Sequence, residues 1–297
     1  ELVANGSGTV DLVIEDVETE SALGFGSDVD DADSTDNLSI TLDGTDLVIR
    51  DTTGLWLGSP VIGATRTANN EIRVPVSMIT GSIILRTGIG NDTITIGNLG
   101  ATLAGGLIIN TEDPSGQFND FDTITYNSST TLADGFNAEF RADTITAQAN
   151  SSLTATGTGS VDWIAGRNIV MQNGADVITE DGDITFEANL PGVRTGNFAG
   201  ILVSGATVQS TTGDISLDGR GGTQDHYNDG VRIGLDRTSR TGSTISTGGA
   251  VTIDGTGGTA GSQSNGVNVG SSSITGASVA LSGTGGTVGG AVITVDT

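Results

Sequence analysis

The chain has 297 residues and a formal net charge of −25, with 36 acidic side chains against 11 basic ones, all of them Arg. Such a surface repels nucleic acid and anionic membranes and attracts divalent cations, and no apolar run approaches membrane-spanning length. Without Cys there is no disulfide framework and no thiolate zinc site, and 35% apolar with only 4% aromatic residues is too little for a wide globular core.

In chain order, strands are expected at Thr9-Val-Asp-Leu-Val-Ile, Leu38-Ser-Ile-Thr-Leu and Asp46-Leu-Val-Ile-Arg, separated by an acidic loop over 28–36. Residues 52–70 are less regular, and Leu55-Trp56-Leu57 reads as a capping patch. Further strands follow at Glu71-Ile-Arg-Val, Ser82-Ile-Ile-Leu, Asp92-Thr-Ile-Thr, Gly106-Leu-Ile-Ile, Asp122-Thr-Ile-Thr and Phe136-Asn-Ala-Glu-Phe. Asp143-Thr-Ile-Thr, Ser152-Leu-Thr-Ala, Val161-Asp-Trp-Ile, Asn168-Ile-Val-Met and Asp176-Val-Ile-Thr continue the series. No segment sustains a 3.6-residue period, so little or no helix is expected.

From Asp183 onward a three-strand unit returns. Its first strand begins at Asp183, Asp214, Ala250 and Ser278; its second is Gly200-Ile-Leu-Val, Gly230-Val-Arg-Ile, Gly266-Val-Asn-Val and Gly290-Ala-Val-Ile. The third, Ala206-Thr-Val-Gln, recurs as Ser243-Thr-Ile-Ser and Ser273-Ile-Thr-Gly. Alternation puts Ile184 and Phe186, Ile215 and Leu217, Val251 and Ile253 on one face, where stacked coils bury them as a ladder. The expected fold is all-β: a right-handed parallel β-helix (β-solenoid) with about three short strands per coil. Residues 1–80 are expected as N-terminal coils or a cap carrying the acidic loop, and 81–297 as one continuous solenoid. The chain begins at Glu1 without a signal peptide and stops just after a strand, as a processed or excised part of a longer protein would.

The run Gly166-Arg-Asn-Ile-Val-Met-Gln-Asn-Gly-Ala-Asp-Val-Ile-Thr-Glu-Asp-Gly-Asp-Ile-Thr-Phe-Glu-Ala188 resembles the degenerate repeats of filamentous-haemagglutinin-like bacterial surface proteins and of the β-helical regions of large secreted bacterial proteins. The resemblance covers residues 80–297. It implies an extracellular or cell-surface stalk or adhesive fibre, and brings no catalytic residues.

Three places could carry chemistry. Gly88-Ile-Gly90-Asn91-Asp92-Thr-Ile-Thr is similar to one nonapeptide of the calcium-binding repeats of secreted toxins; either these residues offer oxygens to Ca²⁺ or the glycines turn the chain and Asp92 caps the turn. Asp28, Asp30 and Asp33, with Asp31 and Asp36, could wrap a calcium ion or form a solvated loop. The loop Gly219–Ile233 gathers Asp225, the single residue His226, Asp229 and Arg232, and its Gly-Val-Arg-Ile is similar to part of the pectin-hydrolase signature. Asn-Thr-Asp and Gly-His-Gly are missing, which weakens a lyase or hydrolase reading. The function expected is a stiff solenoid rod or fibre for attachment or matrix assembly. The variable turns at 190–199, 219–229, 256–265 and 284–289 would form a decorated stripe. Surface or matrix glycans and end-to-end self-association are the partners to consider, with no membrane insertion. The alternative is a β-helical polysaccharide-degrading enzyme with its site at Asp225–Arg232.

Overall fold

A computed structural model describes residues 2–4, 8–15, 35–51, 64–68, 70–88, 90–112, 121–192, 194–234, 241–259, 263–286 and 293–296. Successive coils stack in parallel and form three sheets. The first sheet runs through Val10–Glu15, Ile83–Arg86, Leu107–Asn110 and the beginnings of Ala138–Ala147 and Val161–Met171, then Ile184–Ala188, Ile215–Arg220, Ala250–Thr256 and Ser278–Thr284. The second begins with Asn37–Asp43, Thr93–Ile96 and Thr123–Tyr126, and ends with Ile201–Val203, Val231–Ile233, Val267–Gly270 and Ile293–Asp296. The third links Thr102–Leu103 to Ser273–Thr275 through five intervening strands. The chain is a parallel β-solenoid, with one 3₁₀ turn at Val76–Met78 among its described residues.

Parallel pairing puts equivalent residues of successive coils directly above one another, about 4.8 Å apart. Because strand side chains alternate, every second residue enters the interior. In the second sheet Ile94, Ile124, Ile145, Ile169 and Ile201 form one such column, each fully buried. In the first sheet Phe140, Trp163 and Phe186 are stacked at 5.4 and 4.7 Å between ring centroids, with interplanar angles of 9° and 11°. Trp163 is therefore a core residue, held by the ring below and the ring above. Its buried indole Nε1 has no hydrogen-bond partner among the described residues. Trp56 lies outside the described residues.

The N-terminal end of the stack is closed. Strand β1 (Leu2–Ala4) lies antiparallel on β2 (Val10–Glu15), and β3 (Asn37–Asp43) continues through a tight turn into β4 (Asp46–Asp51). β6 (Glu71–Pro75) pairs antiparallel with both β4 and β5 (Thr65–Ala68). The edges of β2 and β3 that face away from the coils are thus taken up by antiparallel strands, while their other edges pair with Ile83–Arg86 and Thr93–Ile96. The first coil is continuous with the solenoid by hydrogen bonding. The patch at Leu55–Leu57 lies outside the described residues.

Within this cap the Glu71 carboxylate receives Thr67 Oγ1 (2.6 Å), Arg73 Nε (3.0 Å) and Arg50 Nη2. The hydroxyl donor of Thr67, then Arg50, pull its pKa from 4.5 down to about 2.

Two pairs of expected strands are single elements. Ala138–Ala147 and Val161–Met171 run unbroken from the first sheet into the second, turning the corner through a register shift between Ala142 and Thr144. In these coils the connecting loop has shrunk to nothing, so the ladder never breaks. In the third strand, Ser273 pairs with Thr244 rather than Ser243, one residue from the alignment read off the sequence.

Trp163→Ala is expected to destabilise the protein by about 3–5 kcal/mol in denaturant melts, because a void opens in the middle of the ring stack, whereas Trp163→Phe restores most of the loss. A depressed acid pKa contributes stability that is present above pH 4.5 and lost as pH falls through about 2. Glu71→Gln should therefore lower the melting temperature by a few degrees at neutral pH, with the gap to wild type closing as pH is lowered towards 2.

Candidate functional site

The corner between the first and second sheets holds the Gly88–Asp92 motif and the Asp225–Arg232 loop. Residues 87–92, 111–122, 189–200, 221–230 and 257–266 connect the end of a first-sheet strand to the start of a second-sheet strand. The Gly88–Asp92 motif and the Asp225–Arg232 loop are thus coil-equivalent. Asp28, Asp30 and Asp33 themselves lie outside the described residues.

The loops of the later coils are stacked on one another rather than splayed. Gln224 N–H donates to Gly196 O (2.9 Å), Gly222 N–H to Phe198 O (3.0 Å), Gly258 N–H to Asn228 O (2.7 Å) and Gly286 N–H to Ser264 O (2.9 Å). Phe198 N–H donates to Asn228 Oδ1 (2.8 Å), and Asn228 N–H to Ser264 Oγ (3.3 Å). Glycine makes the approach possible: a Cβ on Gly258 would lie 1.7 Å from Gly222 O, and one on Gly286 would lie 2.0 Å from Gly258 O. A signal for this exists in the sequence. Gly-x-Gly-Gly-Thr recurs at 219–223, 255–259 and 283–287, so the loop bases are as repetitive as the strands. The strands beneath are longer than the expected turns allow, reaching Arg220, Thr256 and Thr284.

At the end of the motif Gly88, Gly90, Asn91 and Asp92, both side chains bind neighbouring coils. Asn91 Oδ1 accepts Phe121 N–H (2.9 Å), and the fully buried Asp92 accepts Asp36 N–H at Oδ1 (2.8 Å). The pattern propagates: Asp92 N–H donates to Asp122 Oδ1 (2.8 Å) and Asp122 N–H to Asp143 Oδ2 (3.3 Å). The Asp that opens each Asp-Thr-Ile-Thr phrase therefore clamps the coil before it. Arg194 closes the column with Nη2 2.6 Å from Asp143 Oδ2, brought there by the loop from a later coil. No group of three or more His, Asp or Glu among the described residues is arranged to hold a metal ion.

In the Asp225–Arg232 loop the residues divide into two sets. Asp229 is fully buried and accepts Asn265 N–H (2.8 Å), Asn268 Nδ2 (3.0 Å) and Arg232 Nε (2.6 Å). Arg232 also donates to Tyr227 O. Asp225, His226 and Tyr227 stand exposed at the tip, Asp225 at φ 58° and Tyr227 at φ 66°, a left-handed backbone costly for such residues. Asp229 braces the loop, and the tip presents an aromatic pair, His226 and Tyr227, edge to face at 6.3 Å.

The strip also carries most of the exposed large hydrophobic side chains among the described residues. Phe121 is 67% exposed, Tyr227 39% and Leu190 38%. Arg194 lies 4.9 Å from the Phe121 ring centre and Arg167 lies 4.6 Å from that of Phe198. Beside the strip, on the outer face of the first sheet, Glu187, Asp218 and Asp254 form one column; partial burial, then Asp254 and Glu187, push the Asp218 pKa up.

Comparison with protein-family models, curated proteins and solved structures found nothing that matches this chain.

Gly258→Ala should force the loops at Gly222 and Gly258 apart and cost about 1–3 kcal/mol. Hydrogen exchange at residues 222–228 should quicken markedly, while amides of the Ile94–Ile201 column keep their protection.

Proposed function

We propose that this chain is a structural and adhesive segment of a secreted or cell-surface protein, a rigid rod that holds a strip of recognition loops along one corner. The observation that carries this reading is the loop stack itself. The strip exposes Phe121, Leu190 and Tyr227, yet its bases are tied coil to coil through Gly196, Gly222, Gly258 and Gly286. Large exposed side chains on a preordered surface lose little conformational freedom when a partner binds. The acidic surface and the resemblance to bacterial surface repeats point the same way. The closed N-terminal edges of β2 and β3 favour a separate rod over head-to-tail stacking of identical copies. Asp229, committed to three donors around its loop, is poorly placed as a catalytic carboxylate, which weighs against the polysaccharide-degrading alternative.

Electron microscopy should show isolated rods that lengthen by about 4.8 Å per coil. Replacing the tip Gln224–Tyr227 by a glycine linker should abolish attachment to cells or matrix while leaving the melting temperature within a few degrees. A compact particle, or attachment indifferent to the tip, would overturn the reading. Cleavage of polygalacturonate that vanishes in His226→Ala would transfer it to an enzyme.

A further inference from the structure

The basic residues of this acidic chain are unevenly placed. Arg141, Arg167, Arg194, Arg220 and Arg232, out of only 11 basic residues, line the loop corner or the strand ends that feed it. Two are internally neutralised, Arg194 by Asp143 and Arg232 by Asp229. Arg141, Arg167 and Arg220 form no ion pair with a described carboxylate. All three are half-buried, so part of their hydration is already lost. Arg167 is the sharpest case. Burial holds its pKa down, Asp143 pulls it up, and neighbouring Arg194 pushes it down again, so the guanidinium is short of counter-charge. Its plane lies on Phe198, and next to it the Phe121 ring is held against Arg194 with 67% of its surface open.

We infer that this strip binds a carboxylate-bearing polysaccharide lying along the solenoid axis; the inference rests on the adhesive reading and names the partner's chemistry. Guanidinium groups meet carboxylates, as they meet phosphates, through paired, parallel hydrogen bonds from a planar fork. Arg141, Arg167 and Arg220 stand on different coils, with rungs about 4.8 Å apart, so they address charges repeated along an extended polymer rather than one small anion. Phe121 and Tyr227 supply open rings for the apolar faces of sugars. At physiological salt charges beyond roughly 8 Å are screened, so most of the net charge of −25 does not reach the strip, whereas Glu187 and Asp218, beside Arg141 and Arg220, do act on it.

The test is calorimetry of the full 297-residue chain with polygalacturonate, with heparin and with neutral dextran, in physiological salt. Polygalacturonate should bind and dextran should not. The pair Arg167→Gln with Arg220→Gln should weaken binding at least about tenfold at an unchanged melting temperature. Arg141→Gln, whose side chain has neither an ion pair nor a ring contact, gives a second variant should the pair fail to fold, and should also weaken binding. Phe121→Ala should weaken both. Absence of polygalacturonate binding, equal binding of dextran, preference for heparin, or full affinity in the folded arginine variants would each overturn the inference. Tip-dependent attachment that survives without polygalacturonate binding would overturn this inference and leave the adhesive reading standing. Rods that lack any tip-dependent attachment, yet bind polygalacturonate through these arginines, would do the reverse.

Discussion

Parallel hydrogen bonding between coils stacks each residue on its own equivalent, and whether that stacking helps depends on what the residue is. For Ile94, Ile124, Ile145, Ile169 and Ile201 it removes apolar surface from water on both sides of every side chain, at roughly 25 cal/mol per Å². For Phe140, Trp163 and Phe186 it adds ring stacking. For carboxylates it brings like charges together. The chain meets that difficulty in two ways. Asp92, Asp122 and Asp143 turn inward, accept backbone N–H groups and end on Arg194. Glu187, Asp218 and Asp254 stay on the outer face, where partial burial, then Asp254 and Glu187, push the Asp218 pKa up.

The same registration explains where variation is tolerated. A residue inserted inside a strand would turn every following side chain to the wrong face, whereas one inserted at a corner leaves both flanking ladders aligned. In this molecule the first-to-second corner takes up the largest differences, from none in the strands Ala138–Ala147 and Val161–Met171 to the loops at 189–200 and 221–230. Those loops are not free to wander, because glycines at their bases bring them within hydrogen-bond reach of each other. Among the described residues of these loops, short tips such as Gln224–Tyr227 project from the stack. A rigid base beneath a variable tip is the physical arrangement that recognition surfaces favour.

The stack has unlike ends. Antiparallel strands finish the N-terminal side, and β4 and β6 hold Glu71 within reach of Arg50, Thr67 and Arg73. In the last described coil, Val279 is 45% exposed where its equivalents Val251 and Ile215 are buried. Burial in this fold depends on having a neighbour on each side.

Period-two alternation and the return of the three-strand unit were enough to read the solenoid from the amino-acid sequence, because the side-chain direction of a strand is a local property. The column Ile184–Ile215–Val251 followed for the same reason. The loop ladder was also written there, as Gly-x-Gly-Gly-Thr at 219, 255 and 283, but its meaning depends on loops from different coils touching. Only the tertiary structure decided that Asp92 clamps Asp36 across 56 residues, that Arg194 folds back onto Asp143 across 51, and that Asp229 is a brace. Those contacts join residues far apart in the chain, and their geometry is set by how many residues each corner absorbs, a quantity no local pattern of side chains records.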